Sequence, residues 1–394
     1  MAGRRWGSAV VALVLPLVAL TGCGGPTAAD SATADVQRLL DRRAAAVLGR
    51  DERAYERTGT DADFARLRAL PLASWSYRVT GLRRTGDTAT ADAELRYRVA
   101  GYDRAPVTAG RTLRLSRDAG GHWSVDADRP ARKSAQQLWD QGEVRLARGT
   151  RSLVLGVGQS ARSLRGFAGL ADRAVPAVSE AWGTDWSRRV VVLVPKSLEG
   201  MAGLLGSPAS SYRGIAAVTT GETGARDRSP ADRIIVNPDA FALLGDVGEQ
   251  VVVTHETAHV ATRAHTTAAT PLWLSEGYAD WAGYRAAGRT PPEAAPELSR
   301  AAGRGELPAG LPADEDFGFT GDASRLARAY ESGWTACLMI ADRWGESGLR
   351  DFYRAVGEHQ ERSGAVEEAM RDVLGTTPED FTRQWREYLR DRLG

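Results

Sequence analysis

Residues 255–259 read His-Glu-Thr-Ala-His, and Glu276 follows within the stretch Trp273-Leu-Ser-Glu-Gly-Tyr-Ala-Asp280. On a helix, His255 and His259 share one face about one turn apart. Two imidazoles at that spacing can grip one Zn²⁺ ion, while Glu256, one position round, reaches the metal's open side as a general base. The chain holds only five histidines, so a chance His-Glu-x-x-His is expected in well under about one in a hundred chains of this composition.

The flanks support a helix here. Asp246 and Glu249 form an acid pair three residues apart, suited to a helix start. Val247, Val251, Val252, Val253, Val260 and Ala261 supply an apolar surface for burial. The competing reading is a core helix with two incidental histidines. Against it, two imidazoles and a carboxylate among valines are costly to bury without polar partners.

Two residues compete to complete a metal site. Residues 255–265 run His-Glu-Thr-Ala-His-Val-Ala-Thr-Arg-Ala-His, a spacing similar to the metzincin signature His-Glu-x-x-His-x-x-Gly-x-x-His. Thr262 stands at the glycine, however, and a β-branched residue resists the sharp turn that returns the third histidine to the metal. On a continuing helix His265 would point about 80° away from His255. The next methionine is Met339, too distant for a methionine turn. Glu276 is the second candidate and the preferred one. A helix opening at Thr270-Pro271, with Thr270 as cap, puts Glu276 and Asp280 on one face. Glu276 then binds zinc, and Asp280 accepts a hydrogen bond from the far nitrogen of a ligand histidine, fixing its tautomer.

These residues together resemble the gluzincin metallopeptidases, and more narrowly the bacterial peptidase-MA-like proteins with a His-Glu-x-x-His … Glu-Gly-x-Ala-Asp signature. The likeness extends over residues 135–394, with specific motifs between 255 and 339. Tyr330-Glu-Ser-Gly333 resembles the Tyr-Glu-Lys-Gly helix of zinc aminopeptidases in that clan. The resemblance implies that Tyr330 donates to the oxyanion, although Ser332 stands where those enzymes have Lys; a half-buried helix tyrosine is the alternative. The Gly-x-Met-x-Asn segment that holds a substrate amine in those aminopeptidases has no counterpart in residues 213–250. Endopeptidase action is therefore expected, with Gly214–Val218 or Arg233–Val236 free to pair with an extended peptide.

The N-terminus suggests export. Arg4 and Arg5 precede a short apolar run, Ala9–Leu20, of signal-peptide length. The run ends in Leu20-Thr-Gly-Cys23, similar to the lipobox of bacterial lipoproteins. That implies cleavage before Cys23, a diacylglyceryl anchor on it, and a location on the outer side of the cell membrane. With Cys23 acylated, only Cys337 remains, read as an inert core residue. A net charge of +1 argues against a nucleic-acid partner.

The expected fold class is α+β. Residues 1–23 form the leader and 24–34 a tether. Residues 35–130 carry one helix and alternating strands, loosely resembling a cystatin-like or NTF2-like domain, with Asp128–Lys133 as linker. Residues 135–394 begin with strand material over 144–157, a helix over 160–182 and the apolar strand Val190–Val194. A small sheet, the zinc helix and a mostly helical lobe then match a two-lobed gluzincin catalytic domain, with residues 288–318 looping along the cleft's rim. The expectation is a lipid-anchored metallopeptidase with one Zn²⁺ per chain and a peptide or protein substrate. A non-catalytic peptide-binding or assembly lipoprotein on the same fold is the competing class, and Glu256 weighs against it, since a binding fold needs no base beside the metal.

Overall fold

Residues 72–130 alternate apolar and polar side chains, a pattern that buries one face of a sheet. In the computed structural model, which describes residues 28–60, 64–221, 229–318 and 323–394, they form β1 (Leu72–Thr85), β2 (Thr88–Val99), β3 (Val107–Arg117) and β4 (Trp123–Pro130). The four pair antiparallel in the order β1-β2-β3-β4. Trp75, Leu95, Leu113 and Val125 line the inner face, covered by Val36, Leu39 and Leu40 of the helix Ala28–Gly49. The expected helix-plus-antiparallel-sheet arrangement is present. The helix starts within the stretch read as a tether, where alanines favour helix and Ala32 is buried. Cys23 and the leader over residues 1–23 lie outside the described residues.

The stretch read as a linker differs in its first half. Strand β4 runs to Pro130, with Asp128 paired to Leu113 and Pro130 to Arg111. The chain beyond it stays attached to the first sheet. Tyr97 donates to Gln137 Oε1 at 2.6 Å, and Arg111 bridges Asp128 and Asp140.

A second sheet contains β5 (Val144–Arg148), β6 (Ser152–Val157), β7 (Val190–Val194), β8 (Ala217–Thr220) and β9 (Arg233–Val236), in the order β5-β6-β7-β9-β8. The span 144–157 is thus two strands, not one. Their turn is held by Asp172, which accepts from the backbone N–H groups of Thr150 and Arg151. Strands β6, β7 and β9 are parallel, and β5 and β8 are antiparallel edges. The unbroken apolar run of β7 is what a strand covered on both faces requires. Leu153, Leu155 and Leu193 meet the first sheet, while Val154, Val192, Val194 and Ile234 meet helices. Those helices are Ala161–Trp182 and the histidine helix, Asp246–Thr262.

The remainder is mostly helical. The glutamate helix (Leu272–Tyr284) packs on the tyrosine helix (Ala323–Glu358), which breaks at Gly345. The helix Pro378–Leu393 closes the lobe, capped by Thr377, whose hydroxyl accepts from the Asp380 N–H. Residues 288–318, expected as loop, contain the short helices Pro291–Ala294 and Pro296–Gly303. Glu331 stabilises the second of these by accepting from the N–H groups of Glu297 and Leu298. Among the described residues no helix is long and apolar enough to cross a membrane.

Candidate metal centre

Three helices set the site. The histidine helix begins at Asp246, with Gly245 as its cap, one residue earlier than the acid pair suggested. The glutamate helix begins at Leu272, not at Pro271, and Thr270 does not cap it. Its first N–H donates instead to Asp314 Oδ1 at 2.9 Å, so the capping carboxylate comes from a distant loop. The glutamate and tyrosine helices cross at two glycines. A Cβ on Gly277 would lie 2.3 Å from the Gly333 carbonyl oxygen, and one on Gly333 would lie 2.6 Å from that of Trp273. Only glycine permits so close an approach, which brings Tyr330, one turn before Gly333, beside Glu276.

His255, His259 and Glu276 meet at one point. The two Nε2 atoms are 3.0 Å apart, and Glu276 Oε2 lies 3.3 Å from His255 Nε2 and 3.5 Å from His259 Nε2. A tetrahedral zinc with bonds of about 2.0–2.2 Å holds its ligand atoms about 3.3–3.5 Å apart, so the triangle has the size of one face of that tetrahedron. The donor chemistry also fits, two imidazoles and a carboxylate. Asp280 Oδ1 sits 2.7 Å from His255 Nδ1, which leaves Nε2 facing the centre. His265 is not in this group. It lies in a short turn after the histidine helix, its ring edge-on to Trp182 at 5.6 Å between centroids.

Electrostatics bind these groups to one another. Burial opposes a charged His255, but Asp280, aided by Glu276 and Glu256, holds its imidazolium well above the ordinary 6.5. Burial likewise opposes ionisation of Glu276, yet His259 and His255 keep its carboxyl well below the usual range. Tyr330 is half-buried, its ring edge-on to Phe317, and it lies close enough to Glu276 for that carboxylate's charge to act on its hydroxyl. Burial, then the charges of Glu276, Asp280 and Glu256, push its hydroxyl well above 10, so it stays a donor. Cys337 is fully buried in the helical core, and burial raises its thiol likewise.

One contributor went unread in the sequence. Thr219, on the edge strand β8, donates to Glu256 Oε2 at 2.6 Å and lies 3.1 Å from the Glu256 carbonyl oxygen. The carboxylate, on a residue only 6% exposed, is thereby fixed in orientation beside the histidines. No spacing rule links positions 37 residues apart on different elements. The only available signal was that Thr219 falls at the end of a strand expected near 214–219.

No family model matches the chain, and no curated protein matches it. Similar solved structures include native yeast LTA4 hydrolase, at 14% identity and a TM-score of 0.38, covering 71% of this chain and 43% of that one. A two-domain M1 zinc metallopeptidase bound to L-arginine is 15% identical with a TM-score of 0.37, covering 82% and 63%. An M1 zinc metallopeptidase from Deinococcus radiodurans bound to a Tyr-Ser-Ala substrate is 13% identical with a TM-score of 0.36, covering 82% and 62%. The chain spans less than two thirds of the length of each. At TM-scores below 0.5 these likenesses carry no weight for substrate or reaction.

Proposed function

We propose that this chain hydrolyses peptide bonds using one zinc ion held by His255, His259 and Glu276, and that it acts on the outer face of the cell membrane, anchored through Cys23. The observation that carries the reading is the triangle of donors with the Glu256 carboxylate fixed next to it. Zinc, when bound, supplies Lewis acidity and a water whose pKa is lowered toward about 7. Glu256 takes a proton from the attacking water and delivers it to the departing amine nitrogen. Thr219 holds that carboxylate in line, acting as a positioning residue. Tyr330, protonated throughout, donates to the oxygen of the scissile carbonyl as negative charge develops there, a contribution of about 3 kcal/mol for such donors. Asp280 keeps His255 in the tautomer that leaves Nε2 free. The open side of β8 can receive an extended peptide as an added strand. Residues 213–250 contain no Gly-x-Met-x-Asn segment of the kind that holds a substrate amine in the aminopeptidases the sequence resembles, which favours endopeptidase action.

Glu256→Gln tests the chemistry. It should retain about one zinc per chain and the fold, yet lose hydrolysis by about 10³-fold or more, because only the proton shuttle is removed. If zinc is bound and the wild type cleaves nothing in a broad peptide and protein screen, the non-catalytic binding reading replaces this one. The anchor is tested separately by fractionation. The full chain should leave membranes with detergent and not with salt, since two acyl chains hold far more firmly than one. Extraction by salt would remove the lipid anchor and leave the peptidase reading untouched.

A further inference from the structure

Strand β8 presents one face to the helices and the other to a cavity it shares with the first sheet. Side chains alternate along a strand, and the pairing of Ala217 with Val236 and Thr219 with Ile234 puts these two on the helix face. Val218 and Thr220 then face the opposite way. On the helix face Thr219 bonds the Glu256 carboxylate. On the opposite face Thr220 and Gly221 border a half-open cavity of about 270 Å³ between the two sheets. Tyr97 and Val107 of the first sheet and Leu193 and Ile235 of the second line its walls.

Charge and size narrow what this cavity can hold. Arg233 is the one charged residue lining it among the described residues. Both oxygens of the buried Asp103 neutralise that guanidinium at 2.9 Å. The Tyr97 hydroxyl is already committed to Gln137. An acidic or basic guest would therefore meet no free counter-charge, and losing water would cost it. The volume falls below the about 300–1,000 Å³ of pockets that hold whole small-molecule ligands. It suits a single large side chain.

We propose that this cavity is a specificity subsite for a large, uncharged apolar side chain of the peptide substrate. The proposal rests on the chain being a peptidase. A peptide added to β8 lies extended, so the neighbour of a residue presented to Glu256 turns its side chain to the other face of the sheet, toward the cavity. The N-terminal sheet thereby becomes half of a substrate pocket. That gives it a part in choosing the substrate, beyond being a spacer.

The test uses the zinc-loaded full chain and two peptide series that differ at one position, leucine or phenylalanine in one and alanine in the other. Leu204, on the helix Leu198–Leu205, lies at the cavity and is only partly buried. Leu204→Trp fills the space, and should lower kcat/KM for the large-apolar series by about 10-fold or more while leaving the alanine series within about twofold. Leu204→Ala should shift preference toward the larger side chain. Equal losses in both series, or no change in either, overturn the subsite and leave hydrolysis standing. A second readout needs neither turnover nor those variants. Full-length Glu256→Gln is incubated with peptides carrying a photoreactive leucine analogue, and the crosslinks are mapped. Crosslinks on Tyr97, Val107 or Leu193 support the subsite, whereas crosslinks confined to the helical lobe overturn it. Crosslinks at this wall with a wild type that cleaves nothing would sink the peptidase reading, and with it the subsite's role in specificity, leaving a peptide-binding pocket; cleavage with crosslinks elsewhere would overturn the subsite and keep the peptidase.

Discussion

Two clusters of charge in this molecule, one buried and one half-buried, are built to opposite rules. In the first sheet, the Arg111 side chain is 3% exposed and lies between Asp128 and Asp140. Its Nε donates to Asp128 Oδ1 at 2.7 Å, its two terminal nitrogens donate to Asp140 at 2.9 and 3.0 Å, and one of them also reaches the Asp128 carbonyl. Each donor there meets an acceptor. At the helix crossing, by contrast, two imidazole nitrogens 3.0 Å apart and one Glu276 oxygen converge on a single point, and once His255 gives up its proton they offer three electron pairs to it. The difference is one of direction: donors meeting acceptors join parts of a fold, whereas two ring nitrogens and a carboxylate oxygen converging on one point have the arrangement of a cation's ligands.

The comparison breaks most readily at Arg111. Arg111→Met would strand Asp128 and Asp140 in a dry interface without a counter-charge, at a cost of about 3–5 kcal/mol of folding stability. Denaturant unfolding measures that loss, and the folded fraction should still bind zinc. Unchanged stability with zinc lost would place Arg111 in the functional class and dissolve the distinction.

Glu276→Gln addresses the other cluster and should act in the opposite sense. Replacing one donor of the triangle should weaken zinc binding by about 10-fold or more, read by competition with a chelator. The metal-free chain should unfold within about 1 kcal/mol of wild type. His265→Ala should leave zinc affinity unchanged, because that ring packs against Trp182 away from the triangle. Equal weakening from both substitutions would restore the metzincin-like arrangement as a contender.

Legibility in the sequence divides along similar lines. The helical spacing of His255 and His259 is a local regularity, and so is that of Glu276 and Asp280, four apart on their own helix. Strand alternation is local too, and the alternating strands expected in residues 35–130 form the first sheet. Contacts set by chain segments far apart were opaque. The glutamate helix starts at Leu272 because Asp314 arrives to cap it. The supposed linker is half strand because β3 pairs with it and Arg111 anchors the turn around Asp140 beyond it. Asp103 and Arg233, 130 residues apart, make a buried pair that no pattern announces. Gly277 and Gly333 stood within the motifs, yet their reason, a backbone-on-backbone crossing, needs both helices in view.

Thr219 gives the smallest and most discriminating effect, because it lies between the two classes. Its hydroxyl meets an acceptor, as in the Arg111 cluster, but that acceptor is the base of the proposed reaction. A hydrogen bond to a charged group is worth about 1.5–3 kcal/mol when nothing replaces it, and water entering the cleft would restore part of that. Thr219→Val keeps the shape and β-branching that suit a strand while removing the donor. It should lower kcat about 10-fold with KM nearly unchanged, since the hydroxyl touches the base and not the peptide. Thr219→Ser restores the donor and should recover most of the rate. If Thr219→Val instead raises KM at constant kcat, the strand uses this residue to hold the peptide. If serine fails to rescue, the threonine methyl is what matters, and the residue belongs with the packing of β8 against the histidine helix.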